Sequence, residues 1–196
     1  MKKYRLLDSD TKVLFGRTLF RTQALNSFGD VQEGDLGGYI EKEKNLSHNG
    51  NAWVYNNAQV FDEAWVFGNA KIFGNAKIFG NARVCGNAHI SEDARIYGSA
   101  TISGNAHVCD KAYVGGNSWV FSDADILYIK GIGSTYPCIT VCMTRDRKLF
   151  VMRKPFSGTL SEFETEVKKT YGDSKNAREY QLFIELVKLH FNIEEN

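Results

Sequence analysis

The chain has little proline, 2 residues against 18 glycines among 196, so its turns must come from glycine and short polar residues. It has almost no net charge, with 24 Lys and Arg against 23 Asp and Glu, and composition alone nominates no polyanionic partner. At 24% charged and 43% hydrophobic residues it is not a disordered chain. No apolar run approaches the length of about 18 residues that a membrane helix needs, and the amino-terminal MKKYRLLDSD has no apolar stretch behind its lysines. A soluble, unexported, cytoplasmic protein is the expectation. Cysteine is sparse: Cys85, Cys109, Cys138 and Cys142 form neither a C-x-x-C pair nor a dense disulfide framework, which points to reduced thiols and no metal site. Length admits one domain or a repeat body with a small appendage, and excludes a two-domain synthase.

What is present in quantity is a repeat. From Asn49 to Ile126 the chain reads as thirteen uninterrupted hexads, beginning NGNAWV, YNNAQV, FDEAWV and ending FSDADI. The sixth place is always Val or Ile, the fourth is Ala except at Ser118, and the second and third are mostly Gly, Asn or Asp. An aliphatic residue, a polar two-residue turn and a small residue, repeated, make a short strand and then a corner. Three strands close a coil of 18 residues, so the aliphatic column of one coil stacks on the next at about 4.8 Å. Alanine suits the crowded corner interior, and stacked Asn side chains can hydrogen-bond along the axis.

Stacking by 18 turns the sequence into a surface map. Ahead of the aliphatic residue, the first face presents Trp53, Lys71, His89, His107 and Asp125, the second Gln59, Lys77, Arg95 and Tyr113, the third Trp65, Arg83, Thr101 and Trp119. Behind it stand Tyr55, Phe73, Ser91 and Cys109; Phe61, Phe79, Tyr97 and Gly115; and Phe67, Cys85, Ser103 and Phe121. Aromatic ladders of that length should be covered by a second copy or by the terminal segments.

This pattern resembles the left-handed parallel β-helix of hexapeptide-repeat proteins. The resemblance implies the handedness and, with it, a homotrimer packed along parallel axes in preference to a dimer. The expected organisation is residues 1–48 as amino-terminal strands and cap, 49–126 as the β-helix, and 127–196 as a small β-hairpin followed by two helices. The hairpin is read from CITVCMT, a turn at Arg145 to Arg147, and KLFVM; Leu36 and Ile40 are placed at the start of the first coil. The first helix begins at a capping box, Thr159 to Glu162, and the second follows a break at Gly172 and Asp173.

Two chemistries compete for the site. Many proteins of the resembling fold are acyltransferases that use coenzyme A and a histidine at a subunit boundary, which nominates His89 and His107; those two residues otherwise fill a variable outward place, and no acceptor-holding loop interrupts the hexads. The second chemistry is electrostatic and needs no cofactor. Residues 130–154 hold six basic residues against Asp146 alone, whereas the hexads hold five basic and seven acidic ones. Lys130, Ser134, Tyr136, Arg145, Arg147, Arg153 and Lys154 are therefore the candidate ligand residues for a small phosphate-bearing molecule. Nucleic acid is disfavoured, because overall charge is near zero and the basic segment is short.

The whole chain is similar to a group of uncharacterised repeat proteins encoded by bacteriophages and prophages, through F-G-D-V-Q-E-G-D-L-G-G-Y-I at 28–40, N-L-S-H at 45–48, A-D-I-L-Y-I-K-G-I-G-S at 124–134 and G-T-L-S-E-F-E at 158–164. That resemblance implies a phage accessory protein that sequesters a nucleotide-type immune signal against host defence. A scaffold inhibiting a host protein and a coenzyme A-dependent acyltransferase are the alternatives.

Overall fold

In the computed structural model, which describes residues 2–133 and 138–193, the chain forms a parallel β-solenoid of about five turns closed at one end by a β-hairpin and at the other by an antiparallel sheet and two helices. Each regular rung is a two-residue strand. Trp53–Val54, Lys71–Ile72, His89–Ile90 and His107–Val108 stack on face I. Gln59–Val60, Lys77–Ile78, Arg95–Ile96 and Tyr113–Val114 stack on face II, and Trp65–Val66, Arg83–Val84, Thr101–Ile102 and Trp119–Val120 on face III. Every pairing within these faces is parallel and shifted by 18 residues, as the hexads require.

The aliphatic and alanine columns from Ala52 to Val120 are fully buried and form one continuous core. The corners need positive φ at the second hexad place, which Gly68, Gly86 and Gly104 supply at +70°, +66° and +61°. At Gly86 a Cβ would stand 2.8 Å from the Gly104 nitrogen, so stacking as well as conformation demands glycine. The asparagine ladder forms along the same edge: Asn69 donates to Asn87, and Asn87 to Asn105, both at 3.1 Å.

Both boundaries of the coil differ from the hexad count. The solenoid starts earlier, because β3 (Leu36–Ile40) pairs in parallel with Gln59–Val60 and Leu46 bridges Val66. This coil begins at Leu36–Ile40 as expected, although the eight residues between Leu46 and Val54 break the period of six and leave it outside the hexad count. The parallel stack also stops sooner. FSDADI does not make a thirteenth rung: Asp123–Asp125 is a 3-10 turn in which the Asp125 carboxylate accepts from the Phe121 and Ser122 amides, and Ile126 leaves to pair antiparallel.

The amino-terminal strands β1 (Tyr4–Leu14) and β2 (Arg17–Ala24) form an antiparallel hairpin that continues face II through β3. Their side chains satisfy carbonyls at the open edge of the first coil. The Lys3 ammonium donates to the carbonyls of Ala52 (2.8 Å) and Gly50 (3.2 Å), the Tyr4 hydroxyl to Leu46 (2.8 Å), and the Arg21 guanidinium to Gly37 and Asn56 (both 2.8 Å).

This hairpin corrects two outward assignments. Trp53 is 1% exposed, packed under Tyr4 and Phe28, and Phe61 is 3% exposed beneath Leu19 and Tyr39. The terminal segment thus covers the lower ends of the ladders on faces I and II. Among the described residues the amino-terminal strands do not reach face III, and Trp65, Trp119 and Phe121 stay 41%, 44% and 60% exposed.

The carboxy-terminal hairpin is larger than expected, being the centre of a four-stranded antiparallel sheet: β4 (Ile126–Ile129), β5 (Ile139–Met143), β6 (Leu149–Arg153) and β7 (Phe156–Thr159). Alternation divides it cleanly. Ile126, Cys142 and Met152 join the solenoid core, while Ile139, Val141, Leu149 and Val151 pack on α1 (Leu160–Tyr171) and α2 (Lys175–His190). The capping box at Thr159 and Glu162 forms, and α1 ends at Gly172. Among the described residues no helix is long and apolar enough to cross a membrane.

Candidate ligand-binding cleft

The sheet does not gather the basic segment into one place. Arg145 and Arg147 occupy the turn between β5 and β6, and Lys130 and Lys154 lie at the opposite end of the same strands, about 17 Å away for a five-residue strand. Lys130 is neutralised by Asp110 at 2.7 Å, where the two groups lower the carboxyl and raise the ammonium below and above their ordinary values. Arg153 points to the helix side: it is buried, donates to the Tyr171 hydroxyl at 3.1 Å and lies 5.1 Å from the Tyr180 ring. Lys154 reaches back over Tyr113 of face II, 4.5 Å from the ring centre. Ser134 and Tyr136 lie outside the described residues.

Two of the expected residues meet clefts: Lys130 lines one of about 360 Å³ that also holds Glu92, Asp93 and Asp110, and Arg145 lines a larger one. The turn that carries Arg145 folds over the top edge of face III, tied by the Ser118–Thr144 bridge and an Arg145 amide bond to the Asn117 carbonyl at 3.4 Å. Beneath this overhang is a cleft of about 570 Å³ lined by Asn81, Arg83, Ser99, Thr101, Asn117, Ser118, Arg145 and Asp146. That volume lies within the range of small-molecule sites. In the sequence Arg83 is one outward place among many; the signal that could raise it is its column, since Asn81, Ser99 and Asn117 stand beside it at 18-residue intervals.

The electrostatics of the cleft are one-sided. Among the described residues neither Arg83 nor Arg145 forms a salt bridge. Asp146 is occupied by the Thr144 hydroxyl at 2.8 Å and by Lys148 at 3.4 Å, contacts that hold its carboxyl below the usual range. The Arg145 guanidinium stands 5.8 Å from the centre of the Trp119 ring, which is nearly half exposed. Two unpaired guanidiniums, a hydroxyl and amide column, and an indole surface can hold an oxyanion and an attached planar group.

His89 and His107 stack with ring centres 5.2 Å apart, at the top of a ladder that continues through Phe73 to Tyr55. His89 Nδ1 contacts the Asn87 carbonyl at 2.8 Å and His107 Nδ1 the Asp123 carboxylate at 3.3 Å. They lie on face I, apart from the Arg145 cleft. Among the described residues no three His, Cys, Asp or Glu side chains come close enough to hold a metal ion, and all four cysteines are free thiols. Burial pushes the Cys142 thiol well above its ordinary value.

Residues 94–110, rather less than one coil, are similar to a family model described as the YdcK beta solenoid repeat. No curated protein matches the chain.

Proposed function

We propose that this β-solenoid protein binds and sequesters a phosphate-bearing, nucleotide-type small molecule in the cleft between face III and the β5–β6 turn. One observation carries the reading: Arg83 and Arg145, from separate parts of the fold, converge on the same cleft without a carboxylate partner. Phosphate oxygens would take the guanidiniums, the Ser99 and Thr101 hydroxyls and the Asn81 and Asn117 amides. Trp119 would give the base a surface to stack on. Tight retention needs only these contacts. The resemblance to phage-encoded repeat proteins directs the ligand toward a host immune nucleotide, whose capture would counter defence.

Self-association belongs to the same reading. Trp65, Trp119 and Phe121 are the exposed aromatic residues of face III, and packing this face on another copy would bury them and close the cleft. A trimer is the arrangement the fold resemblance favours.

The test is native mass spectrometry of protein purified from cells that make nucleotide signals, followed by heat release and identification of the small molecule. An intact phosphate compound that is lost in Arg145→Ala and in Arg83→Ala supports the reading, with each loss weakening binding by about tenfold or more. Retention of the same compound by both variants places the ligand elsewhere and overturns the assignment.

A further inference from the structure

Face II carries a second feature, separate from the cleft. In register along the solenoid axis its outward column runs Tyr39, Gln59, Lys77, Arg95 and Tyr113. Three more cations converge on it from distant parts of the chain. Lys12 of β1 lies 4.1 Å from the centre of the Tyr39 ring and donates to Asn57 at 3.0 Å; Lys111 stands at the adjoining corner; Lys154 closes the upper end over Tyr113. A groove of about 540 Å³ runs between Gln59 and Tyr113, with Lys77, Arg95 and Lys111 along it.

Among the described residues none of Lys12, Lys77, Arg95, Lys111 and Lys154 forms a salt bridge. Some cations elsewhere on the body are paired, Lys71 with Asp30 and Lys42 and Lys44 with Glu63. Carboxylates beside the stripe include Asp93, which faces the Asn75 amide at 3.4 Å, Asp10, which is taken by Arg21 at 3.0 Å and by the Tyr39 hydroxyl, and, around Lys111, Glu92 and Asp110, the latter paired with Lys130 at 2.7 Å. Burial, and then the charges of Arg21 and Lys77, hold the Lys12 ammonium below its ordinary value despite Asp10. The cations are close enough to feel one another.

We propose that face II binds a linear phosphate polyanion, a single-stranded nucleic acid held by its backbone. Lys77 and Arg95 stand on adjacent rungs about 4.8 Å apart, and Lys12, Lys111 and Lys154 extend the positive strip toward its two ends and one corner, along about 19 Å from Tyr39 to Tyr113. A line of charge matches one sugar-phosphate strand, whereas a duplex presents its phosphates in two rows. Backbone contacts of this kind carry no base sequence information. Net charge hides the feature because the five residues are scattered from position 12 to position 154 and are balanced by acids on other faces.

The measurement is fluorescence anisotropy of a labelled short oligothymidylate titrated with the full chain over a series of salt concentrations. About four displaced counterions give a slope near −3 in log affinity against log salt. Exchanging Lys77 and Arg95 together for Glu is expected to lower affinity at least tenfold and flatten that slope. The exposed pair Lys111→Gln and Lys154→Gln, which folding does not need, should lower it in the same direction. Arg145→Ala should leave it unchanged, which separates this surface from the face III cleft. Absence of saturable binding at low salt, equal affinity in the face II variants, equal affinity for a duplex, or binding of inorganic polyphosphate but not of the oligonucleotide would each overturn the proposal.

Discussion

Lys3 is a buried cation whose partners are carbonyl dipoles, Gly50 and Ala52, with the Phe28 ring 4.7 Å away. Burial lowers its pKa from 10.5 to about 8. Between those values the unfolded chain binds a proton that the folded chain has released, so stability rises with pH across that window. Tyr4 and Tyr55, raised above their ordinary values by burial, act in the opposite sense once the unfolded tyrosines ionise near pH 10. The thiols of Cys85, Cys138 and Cys142, raised by burial, oppose Lys3 across the same window, so the expected result is a parent urea midpoint that gains on that of Lys3→Met from pH 8 to about 9.5. Glycine offers a second residue-scale test. Gly86→Ala must accommodate both a positive φ and a carbon 2.8 Å from the next coil's backbone, whereas Gly16→Ala, at φ +77° with nothing within 4 Å, meets the conformational strain alone. Gly16→Ala should cost about 1 kcal/mol and Gly86→Ala distinctly more, read from denaturant midpoints.

At the level of elements, the rungs are too short to persist alone, since a two-residue strand has no stability outside its stack. Their strength comes from the repeated column, and a cavity in it is felt by the coils above and below. Ile96→Ala in the middle of face II should therefore cost about 2–5 kcal/mol in equilibrium unfolding. The carboxy-terminal helices depend on local signals as well as packing. The Thr159 hydroxyl accepts the Glu162 amide at 3.2 Å while the Glu162 carboxylate accepts the Thr159 amide at 2.7 Å. Thr159→Ala should lose about 1 kcal/mol and leave the solenoid rungs intact, a difference that hydrogen exchange resolves by segment.

For the whole molecule, the two charged surfaces on faces II and III are separable, and crossing their variants against a small phosphate ligand and an oligonucleotide tests each independently. Sedimentation velocity addresses the exposed aromatic residues of face III. If that face packs on another copy, Trp119→Lys together with Phe121→Lys should convert the oligomer to a monomer of unchanged secondary structure. A monomeric parent protein would remove self-association from the functional reading and leave the Arg83 and Arg145 cleft open to solvent.

Hexad periodicity by itself determined the coil, because an aliphatic sixth place, an alanine fourth place and a two-residue polar turn have to repeat in space as they do in sequence. The capping box and the break at Gly172 were equally legible, since helix ends are set by neighbours three or four residues apart. The handedness rests on the resemblance. What the tertiary structure decided was everything that depends on contact across the chain. Eight residues between Leu46 and Val54 broke the period inside the first coil, whose start at Leu36 and Ile40 the sequence did suggest, the hairpin buried Trp53 and Phe61, and antiparallel pairing of Ile126 ended the stack. The basic run 130–154 read as one site because its members are close in sequence. A five-residue strand separates its two ends by about 17 Å, buries Arg153 and pairs Lys130 with Asp110. Among its described basic residues Arg145 alone lines that cleft, beside Arg83, and the cations of face II are neighbours only after the chain has coiled. Local periodicity specifies a repeat, whereas a site is assembled from residues that only folding brings within reach of one another.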